Sequence, residues 1–379
     1  MTSNPEPRPA ARLGALKPSP IRVLSEGAPA DAIPLGLGEP TWALPEPARR
    51  SLAAEAGVCA YGPNAGLPEL RAAVAAFHGV HADEVLVTCG SEEGLFAVAQ
   101  AYLDPGDQVL VPDPGFPAYA AVARLASAEP VPYGLDGSRG FALDADRFAE
   151  ALVAAPRAKV AVLNHPSNPT GGGASAAELA RVADLCEARG VLLISDEVYR
   201  ELHSGVRPPS LREVTERGLV SSSVSKGWGA PGLRVGWLTG PAKLLAPVRT
   251  VHAFAVTATA APSQRAATAL LQASDLVLAE ARREVGLRFE ALREAWKTHL
   301  GGALTAPAGA FYHWMRLPEA AQADPMAFCL RLRDEARVVL VPGLAFGEAG
   351  RPFARLSFAA RPEQIREGVA RLAPFWSAP

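Results

Sequence analysis

Ser223-Val224-Ser225-Lys226, followed by Gly232-Leu233-Arg234-Val235-Gly236, sets one lysine among hydroxyls and a guanidinium. An ε-amine becomes a covalent catalyst when it condenses with a carbonyl. Hydroxyls and an arginine are the groups that bind a phosphate dianion. Together the two strings read as a Schiff-base lysine beside a phosphate cup. The same S-x-x-K tetrapeptide is the nucleophile motif of penicillin-binding proteins and class A β-lactamases, which also need S-D-N and K-T-G. The nearest strings are Ser195-Asp196-Glu197 and Lys297-Thr298-His299, so that chemistry is set aside.

Outward from the lysine, valine- and leucine-rich runs recur, each ending in polar or glycine residues. They are Val85–Thr88 before Cys89-Gly90-Ser91, 109–111 before Pro112-Asp113, 159–163 before Asn164, 191–194 before Ser195-Asp196, and Leu219-Val220 before the serines. Near-continuous apolar strands imply a sheet covered on both faces, hence parallel strands joined by helical crossovers. The clearest intervening helix is 175–189, where Ser175-x-x-Glu178 predicts a capping box and Gly190 a stop. Each chemically suggestive string then follows the carboxyl end of a strand, where open α/β sheets bind ligands. Gly90-Ser91-Glu92 opens a helix, whose N–H groups and dipole suit a phosphate.

The chain has 379 residues, 49% of them hydrophobic, enough for two domains. A net charge of −2 without a basic run favours neither nucleic acid nor an anionic membrane as partner. The first residues lack an apolar leader core, and no apolar stretch is long enough to span a bilayer, which predicts a cytoplasmic protein. Cys59, Cys89, Cys186 and Cys329 share no C-x-x-C spacing and read as packing residues. His78 and His81 lack the acidic partner of a metallohydrolase motif and read as a solvated helix end, so no metal is expected. Gly36-Leu37-Gly38 is not a dinucleotide fingerprint, because Thr41 stands where the third glycine belongs.

Asn164-His165-Pro166-Ser167-Asn168-Pro169-Thr170-Gly171, Ser195-Asp196-Glu197-Val198-Tyr199, the lysine segment, Val341-Pro342-Gly343-x-x-Phe346-Gly347 and Arg355-Leu356-Ser357-Phe358-Ala359 follow in order. In content and spacing they resemble the class I/II aminotransferases, enzymes of fold type I that use pyridoxal phosphate (PLP), over roughly residues 33–372. The resemblance implies an α/β fold with a mostly parallel sheet sandwiched by helices, plus a smaller α/β domain. It implies a large PLP-binding domain at 44–275, a small domain from 21–43 and 276–379, and an extended N-terminal arm at 1–20.

The same resemblance assigns roles. Lys226 would carry PLP as a Schiff base and serve as general base and acid. Asp196 would meet the pyridine nitrogen, keeping the ring protonated as an electron sink. Tyr199 and Asn168 would hydrogen-bond the ring's phenolic oxygen, and Phe116 would stack on its face. Gly90, Ser91, Glu92, Ser223, Ser225 and Arg234 would form the phosphate site. Tyr61 would reach the phosphate of the neighbouring subunit, which implies a homodimer with shared sites. Arg355 would grip the substrate α-carboxylate as a bidentate pair, near Asn168 and with Gly38 allowing close approach.

The activity implied is transfer of an amino group from an L-amino acid to a 2-oxo acid. A PLP-dependent carbon–sulfur β-lyase would use the same lysine, aspartate and arginine, and a non-catalytic effector-binding relative would need an appended DNA-binding module. The first forty residues are too short and proline-rich for such a module. Trp42 and Leu44 depart from the pattern in a segment expected to border the substrate side chain. No second arginine is evident for a distal carboxylate, which tilts the expected donor towards a neutral or apolar amino acid.

Overall fold

The computed structural model describes residues 7–16, 18–55 and 60–376. The five valine and leucine runs become β1 (Val85–Thr88), β2 (Gln108–Asp113), β4 (Ala158–Asn164), β5 (Leu192–Asp196) and β6 (Leu219–Ser223) of a seven-stranded sheet, which β3 (Glu129–Gly134) and β7 (Gly236–Thr239) complete. Their spatial order is β1-β7-β6-β5-β4-β2-β3. Strands β3, β2, β4, β5 and β6 are parallel, whereas β7 runs antiparallel to both β6 and β1. The central strands are buried on both faces, as continuous apolar runs require. Each fully buried Val or Leu there contributes roughly 1.5–3 kcal/mol relative to exposure.

Reversal of β7 has a direct consequence for the site. Its first residue, Gly236, and Arg234 just before it lie at the same end of the sheet as the carboxyl end of β6, with Ser223 paired to Gly236. A Cβ on Gly236 would sit 2.5 Å from the Ser91 nitrogen and 2.6 Å from the Gly90 carbonyl carbon. Hydrogen in place of a side chain thus lets the helix Ser91–Tyr102 begin directly against the sheet.

The crossover helix Ala176–Arg189 is capped by Ser175, whose hydroxyl accepts the Glu178 N–H at 3.1 Å, and it stops at Gly190 in the left-handed region. The expected reciprocal half of the capping box does not form. Glu178 turns its carboxylate instead to the Ala145 N–H, at 2.7 Å, and so caps the neighbouring helix Ala145–Ala154.

A second sheet of β8 (Tyr312–Arg316), β9 (Val341–Pro342) and β10 (Phe353–Ser357) is antiparallel, in the order β8-β10-β9. Its core gathers Leu24, Ile33 and Leu35 with Met315, Val338, Leu356, Ile365 and Leu372. The helix Ser274–His299 joins the two regions: Val277 and Leu278 pack with Trp228 and Trp237, whereas Ala291 and Leu292 join the core of the smaller sheet.

Residues 1–20 do not form a wholly extended arm. Ala11–Ala15 make a 3₁₀ turn and a helix begins at Pro20, while residues 1–6 and 17 lie outside those described. Cys186 and Cys329 are buried packing residues and Cys89 is half-buried; Cys59 lies outside the described residues. His78 is not solvated. Its imidazole is half-buried and accepts the Trp237 indole N–H at 2.9 Å. Burial, then Arg200, Arg207 and Arg212, depress its pKa to about 3. His81 does stand exposed, its backbone N–H donating to Glu84 at 3.0 Å.

Candidate active site

The carboxyl ends of the parallel strands surround a cleft of about 250 Å³. Gly38, Ser91, Glu92, Phe116, Asn168, Asp196, Tyr199, Ser223, Ser225, Lys226, Arg234 and Arg355 all line it. Gly90 stands immediately behind, where a Cβ would come within 2.5 Å of Arg234 Nη2. Tyr61 is 88% exposed and does not line the cleft of its own chain. Trp42 and Leu44 do not border it either. Trp42 lies over Gly229 and edge-on to Phe311, and Leu44 packs beside the cluster that holds Trp228.

Lys226 follows β6, and its ammonium donates to the Gly38 carbonyl at 2.6 Å. Burial, assisted by Arg355 and Arg234 and opposed by Glu39 and Asp196, lowers its pKa from 10.5 to about 8. Near pH 7 the neutral, nucleophilic amine is therefore a minor form, though far more abundant than at the ordinary lysine value of 10.5.

Asp196 ends β5 and is pushed up to about 6, chiefly by burial, against the pull of Tyr119, the Val198 N–H and Lys226. Its Oδ2 accepts the Tyr119 hydroxyl at 2.8 Å and its Oδ1 the Val198 N–H at 3.3 Å. No cationic side chain among the described residues forms an ion pair with it. A cationic ligand group placed against this carboxylate would relieve the cost of burying it.

Arg355 lies on β10 and is 2% exposed. Its Nη1 donates to Asn168 Oδ1 and its Nη2 to the Gly36 carbonyl, both at 2.6 Å, while Nε has no hydrogen-bond partner among the described residues. The guanidinium is sandwiched between Tyr312 and Phe346, with ring centroids at 4.5 and 4.8 Å. Among the described residues it has no carboxylate partner. A buried guanidinium without a counter-ion is a ready receptor for an anionic ligand.

Ser223 and Ser225 are buried, and Ser223 Oγ accepts the Ser225 N–H at 3.2 Å. Arg234 takes the left-handed conformation at φ 54° and reaches back to the Cys89 carbonyl at 3.4 Å. With the N–H groups that open the helix Ser91–Tyr102, these are donors of the kind that could hold a phosphate.

Sequence reasoning assigned no role to Tyr119, Tyr312, Val198, Pro231 or Ile21, which also line the cleft. Tyr119 lies three residues beyond Phe116 in the sequence. Its partnership with Asp196 spans 77 residues and leaves no local signal.

The profile of the family described as aminotransferase class I and II matches residues 30–372. The chain belongs to this family. It is an aminotransferase, a transferase that moves an amino group between an amino acid and a 2-oxo acid, and members of the family use PLP. It is 30% identical to an aspartate aminotransferase of Pyrococcus horikoshii, covering 96% of each chain. It is 35% identical to an LL-diaminopimelate aminotransferase of Desulforudis audaxviator, covering 90% of each. Among solved structures, the N-succinyldiaminopimelate aminotransferase of Mycobacterium tuberculosis superposes with a TM-score of 0.88 at 31% identity, over 97% of this chain and 100% of that one. The aminotransferase fold accounts for the mostly parallel sheet and its helices.

Proposed function

We propose that this aminotransferase binds PLP through Lys226 and takes an L-amino acid of neutral or apolar side chain as donor. One observation carries the reading: a lysine with a lowered pKa faces one cleft together with a buried carboxylate and a buried guanidinium that have no ion-pair partner among the described residues. When bound, PLP supplies an aldehyde for covalent attachment and a protonated ring that absorbs the electron pair left at the substrate α-carbon.

The residues fit that group. Asp196 would hold a proton on the ring nitrogen, and its raised pKa would fall once a cationic partner is present. Phe116 would cover one ring face, and Asn168 and Tyr199 would donate to the ring oxygen. Ser223, Ser225, Arg234, Ser91 and the backbone at Gly90 and Glu92 would hold the phosphate. Arg355, held in place by Asn168, Gly36 and two aromatic rings, would fix the substrate carboxylate and thereby choose which α-carbon bond is cleaved. Lys226, freed from the cofactor by the incoming amine, would take and return the α-proton.

The donor class follows from charge. Arg234 and Arg355 are the only arginines among the cleft's described lining residues, and the reading commits both of them. Ile21 then offers an apolar contact for a side chain. The organisation proposed is a large domain at 44–275 and a small domain from 21–43 and 276–379, in a cytoplasmic homodimer. Exposure of Tyr61, away from its own cleft, supports a role at the partner's phosphate.

Labelling tests the central claim. Purified protein incubated with PLP should show a visible absorption band that borohydride abolishes, with mass added to the peptide containing Lys226. A label on another lysine would remove the basis of the assignment.

A further inference from the structure

Tyr312 opens β8 with its hydroxyl 2.7 Å from that of Tyr199. The two phenols are 1% and 4% exposed, and both line the cleft. Room for this meeting is made at Gly38, where a Cβ would lie 2.2 Å from the Tyr312 oxygen. The Tyr312 ring face carries Arg355 at 4.5 Å. One side chain thus touches two groups that the proposed function places on cofactor and substrate.

A phenol has a single O–H. Two facing phenols share one hydrogen bond and leave one hydrogen over. Among the described residues neither hydroxyl has another partner, so the spare hydrogen is available to a ligand in the cleft.

We propose that Tyr312 is a positioning residue: when Tyr199 donates its hydrogen to a ligand oxygen, Tyr312 donates to Tyr199, and the chain runs from Tyr312 through Tyr199 to the ligand. The inference rests on the PLP reading above, in which that oxygen belongs to the cofactor ring. Hydrogen bonds in series polarise one another, so Tyr312 makes Tyr199 a stronger donor. It also fills the acceptor site that a buried Tyr199 oxygen would otherwise leave empty. The ring of Tyr312 separately supports Arg355, a function that phenylalanine would preserve.

The test compares PLP-loaded wild-type protein with Tyr312→Phe, Tyr199→Phe and the double variant, titrating the visible band of the bound cofactor with pH. Tyr312→Phe should raise the pKa of that band by roughly 0.4–1 unit, the weight of one neutral hydrogen bond. It should lower kcat about three- to tenfold while KM for the amino acid moves less than about twofold. In the Tyr199→Phe background the same change should add nothing to either quantity. An unchanged band and kcat in Tyr312→Phe would overturn the proposal. So would an equal effect in both backgrounds with a raised KM, which would mean that Tyr312 acts through Arg355 alone. Tyr312→Leu, which removes the ring beneath Arg355, marks what that second behaviour looks like. Absence of any PLP band in the wild-type protein removes the reading beneath both, and differs because no substitution is needed to see it.

Discussion

Asp196 pairs with a phenol and a backbone N–H, and with no cationic side chain among the described residues. Its proposed work grows as negative charge develops on the substrate, so Asp196→Ala should depress kcat about a hundredfold or more. KM should change far less, and circular dichroism should report an intact fold. A variant with full kcat and bound PLP would exclude the role. Lys226 supports a pH prediction. Only its neutral form attacks an aldehyde, and its pKa is lowered to about 8. PLP capture by cofactor-free protein should therefore accelerate as pH rises through about 8 and then level off. Acceleration that continues towards the ordinary lysine value of 10.5 would show that the amine is not depressed. Both residues were legible because each sits in a short string whose other members share its work. Tyr312 was not, since its partner Tyr199 is 113 residues away and aromatic residues in apolar strings read as core.

At the level of elements, the approach of β7 to the helix Ser91–Tyr102 depends on Gly236. Gly236→Ala would press a methyl group against backbone atoms that cannot rotate away. The expected cost is about 1–3 kcal/mol of stability, with weaker PLP binding as the helix start is displaced. Thermal denaturation without cofactor and a PLP titration measure the two parts. Unaltered PLP affinity would mean that the phosphate cup does not depend on this seat. Strands β1, β2, β4, β5 and β6 were readable as apolar runs, but β3 and β7 were not. β3 is an edge strand carrying Pro130 and Pro132, tolerable only because one side is unpaired. β7 is four residues long, and nothing local to it records its reversed direction. Glu178 carries the same lesson: its spacing from Ser175 fits a capping box, while the nearby Ala145 N–H, distant in sequence, captures the carboxylate.

For the whole molecule, assembly is the open proposal with a decisive experiment. Tyr61→Phe and Lys226→Ala subunits, each impaired alone, should regain activity when mixed and allowed to exchange, because one site of the hybrid dimer escapes both lesions. Verified exchange without recovery would place Tyr61 at the site of its own chain. The mostly parallel sheet and the presence of a smaller α/β domain followed from patterning and resemblance, whereas the joining helix Ser274–His299 and the route of the early chain did not. Ile33 and Val338 bridge in parallel, the Ser357 N–H donates to the Leu35 carbonyl, and Arg355 grips the Gly36 carbonyl across 319 residues. Lys226 holds Gly38 in the same stretch. The wall of the cleft is thus laid down early by the ribosome but locked only after β10 has emerged. With Arg355 in its proposed role at the substrate carboxylate, a nascent chain would gain that grip only when synthesis is nearly over, so substrate recognition would begin late in the making of each copy.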